Sequence, residues 1–245
     1  MFAVVFSTVF LTSILSGVLG MAGGMILMAV LLLVLSVPAT MVLHGAVQGV
    51  ANGSRAWFLR RHIAWQILPP YCLGAALAVG LFLVAAVQPS AAWVLIMLGS
   101  LPWLALVSRR LSGLDITHQP TAVLCGVLVT GAQLFAGVSG ALLDMFYLNA
   151  KLDRHAVVAS KALTQTIGHV LKLLYWGALV STSEWPPVAL LLLAPLVAVA
   201  GTRVGTRLLD KVSQASFLRV SRVVILGIGT VCIVRGGNLL LTGVQ

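Results

Sequence analysis

Residues 119–150 read QPTAVLCGVLVTGAQLFAGVSGALLDMFYLNA, an apolar run interrupted by Gly137-Val138-Ser139-Gly140. Crossing a hydrocarbon core of about 30 Å takes about 20 helical residues, so this run is too long for one comfortable crossing. Glycine inside it frees backbone polar groups that lipid cannot satisfy, and only protein or a water-filled cavity can take them up. Residues 2–35 have the same character, broken at Gly20-Met21-Ala22-Gly23-Gly24. The remaining apolar runs, at 39–59, 64–87, 91–108, 156–180, 186–206 and 221–243, are of ordinary crossing length. How the two broken runs lie therefore decides the fold.

Charge chooses between the possibilities. Arg55, Arg60, Arg61 and His62 sit at one loop, Arg109 and Arg110 at a second, Lys151 and Arg154 at a third. Arg203, Arg207, Lys211, Arg219 and Arg222 surround a fourth, while the segments near 88–90 and 181–187 carry no Lys or Arg. Basic loops belong on the cytoplasmic side. If each broken run crosses once, loops 151–154 and 203–222 fall outside, against that rule. If each enters, breaks and returns to the same side, all four basic loops are inside and both chain ends are external. The expectation is two re-entrant hairpins.

Composition agrees with a membrane solvent. Charged residues make up 8% and hydrophobic ones 60%, with a mean hydropathy of +1.09. That leaves too little polar surface for a soluble domain. The net charge of +10 would suggest nucleic acid in a soluble protein, but here topology accounts for it and no nucleic-acid partner is expected. Cys72, Cys125 and Cys232 lack metal-ligand spacing and read as inert core thiols. No metal or cofactor is expected. The amino terminus lacks a basic region and a cleavage site, so it reads as a retained membrane segment.

Shifting the chain on itself by 117 positions lays Gly20 on Gly137 and Gly23 on Gly140 without a gap. The same shift lays Gln48 on Gln165 and Arg55 on Lys172. Each half is then a hairpin plus three crossings, and an odd number of crossings turns the second half upside down. The fold class expected is an all-α polytopic membrane protein with an inverted repeat. Its halves are residues 1–118 and 119–245, each a glycine-broken re-entrant hairpin plus three transmembrane helices. Secondary transporters commonly have this architecture, with the site near the midplane at discontinuous helices.

The helix after each hairpin carries a polar stripe. His44, Gln48, Asn52 and Arg55 fall on one helical face, as do Lys161, Gln165, His169 and Lys172 at the aligned positions. Ionisable groups inside a bilayer are costly and mark pathways. A half-helix starting at Gly23-Gly24 or Gly140-Ala141 adds unpaired N–H groups and a partial positive charge, which favour an anion. The expected binding residues are Gly23, Gly24, His44, Gln48, Gly140, Lys161, Gln165 and His169. Each side chain also has a plain packing role: His44 and His169 as hydrogen-bonded core residues, Gln48 and Gln165 as interhelical glue, Arg55 and Lys172 as snorkelling cations near helix ends. Asp144, inside an apolar stretch, either tunes a neighbouring charge, binds a coupling cation or pairs locally. Trp57, Phe58, Tyr175, Trp176 and Trp185 read as interface anchors. Phe135, Met21 and Met25 flank the breaks and read as packing residues.

The two glycine motifs, Gly20-Met21-Ala22-Gly23-Gly24 and Gly137-Val138-Ser139-Gly140-Ala141, with the small-rich helix after the first, resemble the TauE/SafE sulfite exporter family over nearly the full length. The second motif has Ala141 where another glycine is typical. The resemblance implies transport of sulfur-containing anions, sulfite or organosulfonates including aromatic ones, across the bacterial inner membrane. The partners it implies are a small anionic substrate and the lipid bilayer, with a proton or cation as candidate coupling ion. An anion channel is the main rival. An intramembrane serine hydrolase is a remote one, because Gly137-Val138-Ser139-Gly140 matches a GxSG pattern with His155 or His169 as the base. Ala22 aligns with Ser139, however, so the glycines are the shared feature and the serine is not.

Overall fold

The computed structural model describes residues 2–19, 22–108, 114–179, 184–209 and 214–243. Among these, all regular structure is helical. The first half holds α1 (Phe2–Leu19), α2 (Ala22–Val34), α3 (Val37–Phe58), α4 (Leu68–Ala85) and α5 (Ala91–Ser108). The second holds α6 (Gln119–Ala136), α7 (Gly140–Tyr147), α8 (Arg154–Leu179), α9 (Val188–Leu209) and α10 (Gln214–Thr242). The first glycine break, Gly20-Met21, lies outside the described residues, as do Arg109, Arg110 and Lys211.

Helix boundaries follow local chemistry. Ser36 caps α3, its Oγ accepting the Ala39 N–H at 3.4 Å, and a proline sits in the first helical turn. Proline also opens α4 and α6, where its missing N–H has no intrahelical partner to lose. Helix α6 stops because Gly137 takes the left-handed conformation at φ 76° and returns its N–H to the Gln133 carbonyl at 3.0 Å.

Four helical stretches are long and apolar enough to cross a membrane: Trp65–Ala85, Gln119–Ala136, Val188–Gly205 and Arg222–Thr242. At 1.5 Å per residue α3 and α8 reach roughly 33 and 39 Å, but their polar stripes dilute the apolar pattern. The second hairpin breaks at 137–140, where the glycines fall, and is lopsided. Its first arm, α6, has 18 residues and reaches crossing length alone, and its second, α7, has 8.

Helices pair through close backbone approach. A Cβ on Gly74 of α4 would land on the Val123 carbonyl of α6, and one on Gly126 of α6 on the Tyr71 carbonyl of α4. Helices α3 and α8 meet along Gly45, Gly49 and Gly53, which face the His169 backbone, the His169 Cβ and the Thr166 side chain. Small residues at such spacing substitute for a hydrophobic driving force, which lipid does not provide. The remaining major pairs are α1 with α9 and α5 with α10. These partners interchange when α1–α5 are mapped onto α6–α10: α1 on α9 becomes α6 on α4, while α3 on α8 and α5 on α10 map onto themselves.

Two sequence expectations fail here. Tyr175 and Trp176 are core residues, 3% and 1% exposed, whereas Trp57, Phe58 and Trp185 are exposed. Trp176 is drawn inward because its Nε1–H caps the end of α6, donating to the Leu134 carbonyl at 3.0 Å. That carbonyl lies in the last turn of α6 and has no partner within the helix. Cys125 and Cys232 are buried free thiols, but Cys72 is exposed on the outer face of α4.

Candidate functional site

The two polar stripes lie along the α3–α8 contact. The glycines of α3 let α8 approach closely enough for side chains of each stripe to reach groups of the other half. At one end of the seam, His44 and Lys172 are fully buried. Snorkelling, the plain alternative for Lys172 beside its place in the stripe, does not occur. Instead its stem packs against Gly45 and its Nζ donates to the Gly137 carbonyl and to His44 Nδ1, both at 2.8 Å.

Donor and acceptor bookkeeping fixes the rest of this network. His44 Nε2 lies 2.8 Å from the Gly24 carbonyl, which can only accept. Nε2 therefore carries the proton, and Nδ1 is free to accept from Lys172. Gln133 Nε2 donates to the Gly137 carbonyl at 3.0 Å and to His169 Nδ1 at 2.6 Å, while its Oε1 accepts the Ser139 hydroxyl at 2.6 Å. His169 thus also carries its proton on Nε2. The two rings lie 5.5 Å apart, centroid to centroid. A single hydrogen-bonded network runs from Gly24 in the first hairpin to Gly137 and Ser139 in the second.

The other end of the seam is more open. Lys161 of α8 pairs with Asp144 of α7, and their side chains are 23% and 36% exposed. The Arg55 guanidinium donates to the Ser16 carbonyl at 3.3 Å and lies close enough to act on Lys161 electrostatically. Between the two ends sit Gln48 and Asn52, both buried, with Asn52 Nδ2 donating to the Gln48 carbonyl at 3.0 Å.

The amino-terminal turn of α2 faces this middle section. Gly23 packs so tightly that a Cβ would collide with the Thr12 carbonyl and the Ser16 hydroxyl, and Gly24 sits 3.4 Å, Cβ position to Oε1, from Gln48. Gln48 Nε2 and Ser16 Oγ are buried without a hydrogen-bond partner. Buried polar groups are rarely left so, and each costs about 1–3 kcal/mol while unsatisfied.

Of the sequence-predicted residues, Gly23, Gly24, His44, Gln48, Lys161 and His169 fall on this seam. Gln165 is half-buried on α8, one turn beyond Lys161. Gly140 lies apart, beside a small apolar cavity lined by Met25, Leu98 and Leu101. Sequence reasoning missed Gln133, Ser16 and the enclosure of Lys172. Only the glycine triplet at 45, 49 and 53 signalled that α8 would press against this face. Ser139 donates to Gln133 and not to a histidine, and His155 is exposed beside Asp153, so no nucleophile–base pair forms at the GxSG segment.

Apolar helices packed around a buried, cation-lined seam make this a multi-pass membrane protein of transporter type. The chain belongs to the sulfite exporter TauE/SafE family, whose model matches residues 5–231. That family comprises transporters and not enzymes, and membership implies the transport of sulfur-containing anions. No curated protein and no solved structure matches the chain.

Proposed function

We propose that the protein is a secondary transporter that carries sulfite or an organosulfonate across the bacterial inner membrane by alternating access along the α3–α8 seam. The observation that carries this reading is the pair of buried, unpartnered donors, Gln48 Nε2 and Ser16 Oγ. They lie at the amino-terminal turn of α2, with Arg55 and Lys161 toward the open end. A sulfonate stays ionised at physiological pH, so it must be recognised by fixed donors and positive charge. Backbone N–H groups of Gly23 and Gly24, the Gln48 amide, the Ser16 hydroxyl and the two cations offer that combination.

The two ends of the seam differ as a carrier requires. His44 and Lys172 are sealed, while Lys161 and Asp144 are partly exposed. A conducting channel would need both ends open at once. The interchange of helix partners between the halves supports an inverted repeat of residues 1–118 and 119–245, which would exchange the two ends in the opposite state. In this reading the basic loops are cytoplasmic and both termini external. With the cell interior negative, an anion leaves downhill by about 2.3 kcal/mol per charge per 100 mV, so import needs coupling.

The test is thermal stabilisation of detergent-purified protein against sulfite, thiosulfate, sulfoacetate, taurine, an aromatic sulfonate and carboxylate analogues. A saturable shift with a sulfur anion, abolished in Gln48→Leu, supports the reading. Folded protein that shifts with none of them overturns the sulfur assignment.

A further inference from the structure

Asp144 is the one acidic side chain set within the described membrane helices. Asp115 and Asp153 lie in loops, Glu184 lies between α8 and α9, and Asp210 is outside the described residues. Its carboxylate binds the Lys161 ammonium, on the side of the seam where Arg55 approaches. The 117-residue shift gives this meeting a counterpart. His44 corresponds to Lys161 and Arg55 to Lys172, so the His44–Lys172 contact at the sealed end matches the approach of Lys161 and Arg55 at the open end. At the sealed end a neutral imidazole accepts from the lysine. At the open end both corresponding side chains are cations, and Asp144 neutralises one of them. Its own counterpart in the first half is Leu27, so the second half alone carries the acid.

We propose that Asp144 is the coupling group of the transporter: it holds Lys161 in the empty state, yields it to the incoming anion, and takes up one proton as it does so. This rests on the anion-carrier reading above and names its coupling ion. Asp144, Lys161 and Arg55 together carry one net positive charge. When a monovalent anion takes the place of the carboxylate and a proton from solvent converts that carboxylate to the neutral acid, the net charge is again +1. The exchange therefore leaves the charge of a low-dielectric site unchanged, whereas adding the anion alone would leave two anions sharing the cations. The partial exposure of Asp144 and Lys161 gives both proton and anion access, which the sealed Lys172 lacks.

The groups around Asp144 leave it the natural proton acceptor. Helix α8 presents Lys161, on which Arg55 of α3 acts in turn. Among its described residues α5 has no ionisable side chain. Helix α6 offers only Cys125, buried in the core with Leu143 and Phe146, and α7 itself adds the buried Tyr147. His169 and Lys172 are 8 and 11 residues further along α8, about 12 and 17 Å away along the axis.

The experiment adds methanesulfonate or benzenesulfonate, which release no proton of their own, to purified full-length protein in weak buffer with a pH indicator. Affinity is followed by thermal stabilisation from pH 5.5 to 8.5. We expect about one proton taken up per anion bound, and affinity rising about tenfold per unit fall in pH wherever that uptake is seen. Asp144→Asn should take up no proton and bind with pH-independent affinity, at least as tightly as the wild type at its lowest pH. Wild-type binding without proton uptake overturns the proposal whether or not the variant folds. So does an Asp144→Asn protein that keeps the wild-type pH slope. If neither sulfonate binds folded wild type at any pH, the sulfonate-site reading falls first and the coupling proposal with it.

Discussion

Replacing Gly137 by alanine tests the hinge of the second hairpin. Gly137 has φ 76° and ends α6. An L-residue with a Cβ pays about 1–2 kcal/mol to enter the left-handed region. The new methyl would also meet Met28 Cε at 2.6 Å, Met28 Sδ at 2.7 Å and Met41 Sδ at 3.0 Å. Methionine tips can swing away, but both side chains are completely buried, so the space must come from neighbouring core residues at about 1–3 kcal/mol. The expected loss is thus about 2–5 kcal/mol in total. The control is Gly131→Ala in the same helix, where the nearest atom is 3.8 Å from the added Cβ and the helical gain from Gly to Ala is up to about 1 kcal/mol. Unfolding in detergent, followed by tryptophan fluorescence, should show a lowered Tm for the first variant and an unchanged or raised one for the second. Equal transitions for the two would refute the argument that the left-handed turn is a requirement of the fold.

Gln133→Leu removes the partner of the Ser139 hydroxyl and of His169 Nδ1, and a loss of about 2–4 kcal/mol is expected in the same unfolding assay. Trp176→Phe keeps the ring in the core but leaves the Leu134 carbonyl uncapped, with an expected loss of about 1 kcal/mol. That loss would appear as a small fall in Tm with anion binding retained. Lys161→Ala and His44→Ala should each weaken anion-dependent stabilisation far more than Arg60→Ala, whose guanidinium is exposed and stacks on Trp57. Equal losses at all three would place the site away from the seam.

Helix positions were legible from the sequence wherever apolar length and punctuation agreed. The run at 91–108 coincides with α5, and that at 39–59 differs from α3 by two residues at the start because Ser36 and Pro38 open the helix earlier. The polar stripes were legible too, since ionisable residues in such apolar helices are few and their spacing is helical. Their partners were not. Lys172 looks like a residue near a helix end when counted along α8, and only the packing of α8 on Gly45 and of the hairpin turn on α8 shows that it is enclosed. Trp176 fits an interface anchor by composition, yet the uncapped end of α6 takes its N–H. Gln133 stands four residues before Gly137, and nothing local announces that it satisfies two groups of the hairpin turn and one of α8. Hydrogen-bond partners across helices are tertiary facts, and a single sequence with no contact information does not hold them.

The network through Gly24, His44, Lys172 and Gly137 has a direction. The lysine donates to the imidazole and to the Gly137 carbonyl, and the imidazole donates on to the Gly24 carbonyl, so the chain ends on a backbone carbonyl in each hairpin. Shift the first hairpin alone and the His44 N–H faces no oxygen; shift the second alone and the ammonium loses one of its two supports. Each such displacement strands a proton in a dry interior unless α3 and α8, which carry the donors, move with the hairpin. The two hairpins, separated by more than a hundred residues of chain, are thereby each fastened to the same helix pair, α3 and α8.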